Sequence, residues 1–263
     1  MKLKKLKPTT NGTRHQLVLQ KNLLSKTNKF SKNSIFGKKS FSGRSSKTGR
    51  ITVWHKGGGC KNLYRKIDFS NNEFNGIVLC NMYDPSRNSF ISLNFDLNAL
   101  SFFRTIATNL VYPGSLINSS AVKNELRLGN RTKLENIPTG SLIHSIGITK
   151  NTKTIFARSA GTYCQLIQKG VSSCKLRLPS GIVVTVSNES FATLGVVSNA
   201  QHNLVCIGKA GKNRLRGIRP TVRGIAMNPV DHPHGGRTNG GRPSVTPWGI
   251  PTKGKPTVLK KNK

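Results

Sequence analysis

Through the middle of the chain, short apolar runs alternate with polar turn clusters, and no long segment carries a helical pattern. The first five runs cover residues 51–55, 63–69, 76–83, 89–95 and 102–107, with turn signals at Asn71-Asn72 and Asp84-Pro85. Five short strands predict one small barrel. After Pro113-Gly114 and a polar stretch through Asn136, a second set covers residues 141–148, 154–158, 163–168, 174–178 and 182–187. Pro179-Ser180-Gly181 is a hairpin turn between the last two. This spacing, about one strand per ten residues, favours two small all-β barrels over an α/β fold. Residues 190–195 stand out as the one helical turn.

The patterning stops at both ends of the chain. Residues 30–47 (FSKNSIFGKKSFSGRSSK) form a Ser/Lys/Gly tract, expected to be disordered in isolation and extended when laid against phosphates. The carboxy-terminal segment is punctuated by Gly235-Gly236, Gly240-Gly241 and by Pro220, Pro229, Pro233, Pro243, Pro247 and Pro251. That composition favours an extended, turn-rich path with little helix or sheet, and glycine lets backbone come close to a phosphate or base. Neither end can bury a core.

Charge turns this outline into a statement about partners. The 263 residues hold 43 Lys and Arg against 8 Asp and Glu, a formal net charge of +35. Charged residues are only 19% of the chain, so acids are nearly absent rather than charge abundant. Residues 1–50 carry 14 Lys and Arg and no acid, and residues 205–263 carry 13 with Asp231 as the single acid. The plan is a folded centre with two basic arms, which repels itself unless a polyanion neutralises it. A nucleic acid or an anionic membrane surface would serve. No apolar run approaches the roughly 18–20 residues of a membrane-spanning helix. The hydrophobic share, 35%, suffices for one or two small cores and excludes a wholly disordered chain. The five cysteines lack any C-x-x-C pair, and so read as buried thiols in a reducing compartment rather than a disulfide framework or zinc site.

Signatures of catalysis are missing: there is no G-x-S-x-G, no H-E-x-x-H and no G-x-G-x-x-G opening a helix. Gly208-Lys209-Ala210-Gly211-Lys212-Asn213 has the residue types of a phosphate loop, but its spacing is short and Asn213 stands where a hydroxyl would hold Mg2+. It reads instead as a flexible basic loop on RNA. Asp231-His232-Pro233-His234 puts two imidazoles beside a carboxylate, yet no further ligand cluster stands out to complete a metal site, so RNA donors fit better. Gly57-Gly58-Gly59, between Lys56 and Lys61 and near Trp54, His55 and Tyr64, is a basic turn with rings able to stack on bases; the competing reading makes Trp54 and Tyr64 barrel core. Arg214, Arg216, Arg219 and Arg223 offer four guanidiniums to backbone phosphates, where acids that would make them a solvated charged face are absent.

The run Arg219-Pro220-Thr221-Val222-Arg223-Gly224, followed by Ala226-Met227-Asn228-Pro229-Val230-Asp231-His232-Pro233-His234-Gly235-Gly236, resembles the signature of the large-subunit ribosomal protein two family. The resemblance extends through Gly49-Arg50-Ile51-Thr52, Tyr83-Asp84-Pro85, Asn136-Ile137-Pro138, residues 157–163, Ala192-Thr193-Leu194-Gly195, Gly208-Lys209-Ala210-Gly211 and Pro247-Trp248-Gly249, covering essentially the whole chain. It implies an all-β fold: a basic extension over 1–48, an OB-fold barrel over 49–124, an SH3-like barrel over 125–201 and an extended rRNA-binding segment over 202–263. It also implies a non-enzymatic structural component that binds large-subunit rRNA, supports subunit association and reaches toward the peptidyl transferase centre. Partners would be rRNA, neighbouring ribosomal proteins and the small subunit, with no membrane and no small-molecule substrate; no cofactor is held by protein ligands, and Mg2+ enters only through bound rRNA.

On this reading the RNA contacts come first from Arg50, His55, Lys56, Gly57, Gly58, Gly59, Lys61 and Arg65, and then from Arg158 in the second barrel. Lys209, Lys212, Arg214, Arg216, Arg219 and Arg223 follow, and beyond them Asn228, His232, His234, Arg237, Arg242, Trp248 and Lys253. His232 falls in the family's histidine loop and reads as structural, ordering RNA rather than moving a proton. The loop departs from the family pattern: Gly235-Gly236 runs straight into Arg237, without the usual third glycine and glutamate, and Cys60 stands where a histidine is usual. Asn, Lys, Ile and Phe are abundant and residues 237–242 resemble alphaproteobacterial and mitochondrial versions. With Lys7-Pro8-Thr9-Thr10 matching the start of bacterial members, no cleavable presequence is expected and a mitochondrially encoded protein is favoured over a bacterial or plastid one. Three rivals keep the composition but differ in behaviour: a nucleoid protein binding duplex DNA as tightly as RNA, an RNA-processing factor that cycles on and off ribosomes, and an enzyme using His232 as base.

Overall fold

The computed structural model describes residues 3–20, 22, 24–25, 35–38, 42–121, 125–150, 152–237 and 241–254. The chain divides into two compact units, one made of Met1–Ser40 with Cys60–Asn213 and the other of Phe41–Gly59 with Arg214–Lys263. In chain order the elements are β1 (Leu3–Lys5), α1 (Asn11–Arg14), β2 (Leu17–Leu19), β3 (Ile35–Lys38), β4 (Asn62–Arg65), β5 (Phe74–Met82), β6 (Ile91–Asp96) and β7 (Ser101–Ile106). They continue with β8 (Leu116–Ser120), β9 (Arg131–Lys133), β10 (Leu142–His144), β11 (Cys164–Lys169), β12 (Ser173–Arg177), β13 (Val183–Ser187), β14 (Phe191–Leu194) and α2 (Ala210–Leu215).

Ten strands of the larger unit form one hydrogen-bonded succession, β13-β12-β11-β10-β14-β9-β8-β5-β6-β7. Every pairing is antiparallel except β8 with β9, which is parallel and joins two strand sets. The first set, β5 to β8, is the OB-fold part. In β5 the residues Val78, Cys80 and Met82 point inward and Leu79 outward by strand alternation, and a bulge between Val78 and Cys80 drops Leu79 from the register with β6. The second set, β9 to β14, is the SH3-like part, packed around Leu134, Ile137, Ile143, Ile146, Leu166 and Leu176. Here the hairpin turn expected at Pro179-Ser180-Gly181 is in place: Gly181 has φ +86°, its N–H donates to Leu178 O at 2.9 Å, and Leu178 N–H donates to Ile182 O at 2.9 Å.

Several expectations are corrected. Residues 51–55 are not a strand; Ile51 makes a single bridge to Arg44 in a turn-rich stretch. Residues 154–158 contribute only the bridge of Phe156 to Ile146. Residues 190–195 hold the strand β14 over Phe191–Leu194, not a helical turn, because β14 pairs with β9 on one edge and β10 on the other and its side chains are largely buried. Tertiary pairing overrides the helix preference of Ala192 and Leu194. The amino-terminal arm holds more order than composition suggested: β1 pairs with β2, and Ile35–Lys38, inside the tract read as disordered, pairs with β4. Residues 30–34 and 39–41 of that tract lie outside the described residues. Of the cysteines, Cys80, Cys164 and Cys174 are buried but Cys60 and Cys206 are exposed, since both sit in segments without core neighbours. Burial pushes the Cys164 thiol up to about 11.

Two polar residues at the junction of the strand sets are fully enclosed. Arg131, in β9, donates to Ser70 O and Asn71 Oδ1, and its guanidinium lies 5.8 Å from the Phe191 ring centre. Burial lowers its pKa to about 10, against the pull of Asp68. His144 hydrogen-bonds through Nε2 to Thr108 Oγ1 at 2.9 Å and through Nδ1 to Ser145 Oγ at 3.0 Å. Burial, with the Arg131 charge adding to it, holds His144 down at about 3 against an ordinary 6.5. The fold therefore keeps this imidazole neutral. Its contribution is complete above pH 6.5 and is lost as pH falls toward 3, so thermal unfolding at pH 5 should show a loss of about 2 kcal/mol relative to pH 7, absent in His144→Gln.

Candidate nucleic-acid interface

The smaller unit holds fifteen Lys and Arg and one acid, Asp231. Among the described residues the hydrophobic core clusters all belong to the larger unit. Its described residues are thus held by hydrogen bonds rather than by a buried apolar cluster, while its cations repel one another.

Its centre is a pairing of two segments far apart in sequence. Lys56 bridges Ile218 antiparallel, Gly57 N–H donates to Gly217 O at 2.9 Å, and Arg219 N–H donates to His55 O at 2.9 Å. The His55 ring adds a contact from Nδ1 to Pro220 O at 3.3 Å. Glycine is required here by space. A Cβ on Gly59, at φ +100°, would stand 2.8 Å from Gly217 N, and one on Gly57 would stand 3.3 Å from Arg219 Cδ. Gly217, itself at φ +81°, donates to Arg214 O at 2.9 Å, and Arg214 Nη1 donates to Ile218 O at 3.1 Å. The pairing thereby gathers Lys56, Arg214 and Arg219, all exposed, beside the exposed backbone of Gly58 and Gly59; Gly57, expected to contact RNA, is corrected, since it is buried against Arg219. Such an array can put guanidinium forks and a close backbone against phosphates at once. Trp54, 54% exposed, meets Trp248, 69% exposed, edge to face at 6.2 Å, so Trp54 is surface rather than barrel core. Tyr64 lies half-buried in β4.

The histidine loop is built inward. His232 is 8% exposed; its Nδ1 accepts from His234 N–H at 3.0 Å, and the two rings lie 4.8 Å apart. Gly224 lies flat against the His232 ring, where a Cβ would come within 2.6 Å, and Gly235 packs against Asn228 O. Gly235 N–H donates to His232 O at 2.8 Å. His234 Nε2 lies 2.9 Å from Pro243 O, and Arg242 Nη1 donates to Pro233 O at 2.9 Å. The imidazoles, expected to reach RNA as donors, serve the loop's own backbone. No group of three His, Cys, Asp or Glu able to hold a metal is found among the described residues.

The other candidates are spread. Arg50, Lys61, Arg216, Arg223, Asn228, Arg237 and Lys253 are exposed. Gly58 is open, with only Arg214 Nη2 nearby at 3.9 Å. Arg158 is exposed and stacks over Phe69 at 5.1 Å. Lys209 packs against Gly12, and Lys212 lies in α2, so the stretch read as a flexible loop is partly helical. Arg65 is corrected: it is buried, with Nη1 3.6 Å from Asp84 Oδ1, and does not present its guanidinium to a surface ligand. Sequence reasoning missed Arg44, whose Nη1 closes the Ser45-to-Arg50 turn on Gly49 O at 2.9 Å, and the exposed Lys4, Lys5 and Lys7 around the β1–β2 pair. Their only signal was the acid-free charge run of the first 50 residues.

Comparison with known proteins gives this basic architecture its family. The model for the RNA binding N-terminal domain of Ribosomal Proteins L2 matches residues 31–119, and the model for the C-terminal domain matches residues 127–249. The Large ribosomal subunit protein uL2m of Reclinomonas americana is 45% identical across 99% of this chain and 95% of its own length. The Large ribosomal subunit protein uL2 of Ehrlichia canis is 46% identical over 81% of this chain and 78% of its own, as is that of Ehrlichia chaffeensis. With both domain models matched in order and a relative similar from end to end, the chain belongs to the ribosomal protein L2 family.

Proposed function

We propose that this structural, rRNA-binding protein of the large ribosomal subunit fastens rRNA chiefly through its smaller, cation-rich unit, and thereby supports subunit association and orders the region near the peptidyl transferase centre. The observation that carries this reading is the pairing of residues 55–57 with 217–219, which collects Lys56, Arg214 and Arg219 in a unit nearly free of acids. Within the smaller unit Arg50, Arg216, Arg223, Arg242 and Lys253 add further cations for phosphate, and Trp248 offers a ring to a base; Arg158 is a separate exposed cation of the larger unit. His232 and His234 shape the loop that carries their neighbours, and Mg2+ enters through bound rRNA rather than through protein ligands. Neighbouring ribosomal proteins and the small subunit complete the contacts. The setting is the mitochondrion, supported by the end-to-end similarity to the uL2m protein of Reclinomonas americana, where the bacterial relatives match a smaller share of the chain.

Salt dependence tests the electrostatic part. Each phosphate neutralised contributes about 0.7–0.9 to the slope of log K against log salt. Arg214→Ala and Arg219→Ala should each flatten the slope for large-subunit rRNA by roughly that amount, and together by about twice it. Unchanged slopes would mean that these guanidiniums do not touch phosphate.

A further inference from the structure

We propose that the cleft beside the edge strand β7, lined by residues 66–70, 72, 102–104 and 153, holds one unpaired nucleotide of the rRNA, its base laid on the Phe102 ring and its phosphate met by Lys66 and Lys153; the proposal rests on the rRNA-binding reading above. The cleft lies within the larger unit and shares no residue with the Gly57–Gly59 and arginine cluster. Its volume is about 470 Å3, inside the roughly 300–1,000 Å3 range of sites that enclose small ligands. Its walls are fixed by the fold. β7 ends the ten-strand succession, and Asp68 N–H donates to Arg104 O at 2.8 Å, so residues 66–70 run along its outer edge. The enclosed Arg131 donates to Ser70 O and Asn71 Oδ1, and Asn71 Nδ2 in turn donates to Lys150 O and, at 3.3 Å, to Thr152 O, which brings Lys153 to the rim.

Both halves of a nucleotide find their chemistry there. Three cations, Lys66, Lys153 and the buried Arg104, line the cleft against one carboxylate, that of Asp68. The carboxylate is turned to its own loop, with Asp68 Oδ1 accepting from Ser70 N–H at 2.8 Å and from the Ser70 hydroxyl at 2.6 Å. Lys66 and Lys153 are both exposed, within reach of an anion from outside. Of the three rings in the wall, Phe69 lies under the Arg158 guanidinium at 5.1 Å and Phe103 packs on Phe74 at 4.6 Å. Phe102 is the most open of them, 44% exposed, and is braced by the Phe95 ring at 5.2 Å. A ring beside cations is the arrangement that holds a single strand, the ring taking the face of a base and the cations its backbone. A base inside a duplex has both faces covered by its neighbours, so the occupant is unpaired and unstacked. An apolar protein segment would cover the two lysines without a counter-charge, which the phosphate supplies. Asn72 completes the polar lining, exposed and with an amide that can donate to and accept from a base edge.

The test uses the full chain assembled into large subunits and base-specific chemical probing of the rRNA, comparing Phe102→Leu, which keeps apolar bulk, with Phe102→Tyr, which keeps the ring. One unpaired nucleotide, protected in subunits carrying the unaltered chain, should gain reactivity by about fivefold or more in Phe102→Leu, the low end for loss of one base–aromatic stack, and stay protected in Phe102→Tyr. Lys66→Gln combined with Lys153→Gln should open the sugar beside that nucleotide to hydroxyl radicals; an unchanged sugar would overturn the phosphate contact. Identical footprints for Phe102→Leu and the unaltered chain, or equal gains in Phe102→Leu and Phe102→Tyr, would overturn the stack while leaving the rRNA reading in place. An ultraviolet crosslink from the cleft to another polypeptide would overturn it in favour of a protein occupant. If the unaltered chain itself left no footprint on large-subunit rRNA, the underlying reading would fall, which is a different result from any of these.

Discussion

Replacing Gly59 by alanine lowers the affinity of the chain for large-subunit rRNA by at least about tenfold at matched salt. The added methyl would stand 2.8 Å from Gly217 N, 3.0 Å from Gly217 Cα and 3.1 Å from Leu215 O. These are backbone atoms of the partner segment, which cannot swing aside as a side chain can. Alanine at φ +100° is also strained in its own right. Strain of about 1–2 kcal/mol and overpacking of about 1–3 kcal/mol act on a unit whose charges already drive it apart. The antiparallel contact of residues 55–57 with 217–219 opens, and Lys56, Arg214 and Arg219 no longer converge. Since about 1.4 kcal/mol is a factor of ten in affinity, even the low end of the sum is visible by filter binding or fluorescence titration. Gly211→Ala is the control: nothing lies within 4 Å of its added Cβ, and it sits in α2, where alanine is the better helix former. Its affinity should match that of the unaltered chain.

The second large effect is on stability. Asp84 is fully buried, its Oδ1 accepting from Ser86 N–H at 3.1 Å and lying 3.6 Å from Arg65 Nη1, its Oδ2 accepting from Arg87 Nε at 2.6 Å. Arg104 belongs to the same neighbourhood: burial lowers its pKa and Arg65 lowers it further, while Asp84 pulls it back. In a chain with 8 acids against 43 cations, this carboxylate is placed where several guanidiniums are enclosed. Asp84→Asn keeps the shape and removes the charge, leaving buried cations uncompensated. The expected loss is about 3–5 kcal/mol, a fall of roughly 6–20 °C in the thermal midpoint by calorimetry. Glu125→Gln, which breaks the exposed pair with Arg127 at 2.7 Å, should change stability by no more than about 0.5 kcal/mol.

The parts of this protein that sequence reveals and conceals divide along physical lines. Strands such as β5, β6, β12 and β13 were legible because β-branched and apolar residues are bounded by turn residues, as at Asp84-Pro85 and Pro179-Ser180-Gly181. β9 was not, because Arg131-Thr132-Lys133 carries no apolar alternation; its burial depends on acceptors at Ser70 and Asn71 that only the fold brings near. β14 was misread because Ala192 and Leu194 favour helix locally and pairing on both edges decides otherwise. Most cations of the interface were legible from charge; Arg44, Lys4, Lys5 and Lys7 were passed over, and Arg65 was wrongly included because nothing in its neighbourhood of the chain announces Asp84 as its partner. The union of residues 41–59 with the carboxy-terminal segment had no sequence signal beyond glycine at both places, and it is that union which gathers the candidate contacts. The motif resemblance supplied the family; the inward turn of His232 and the exposure of the Trp54–Trp248 pair came from geometry alone.

Sedimentation of lysate through a sucrose gradient at about 0.5 M monovalent salt, where binding by counterion release alone is strongly weakened, tests the structural role most directly. The chain is predicted to remain with large subunits in near one-to-one amount with their rRNA. Its release to the top of the gradient, or its passage with DNA, would contradict a structural component built into the subunit.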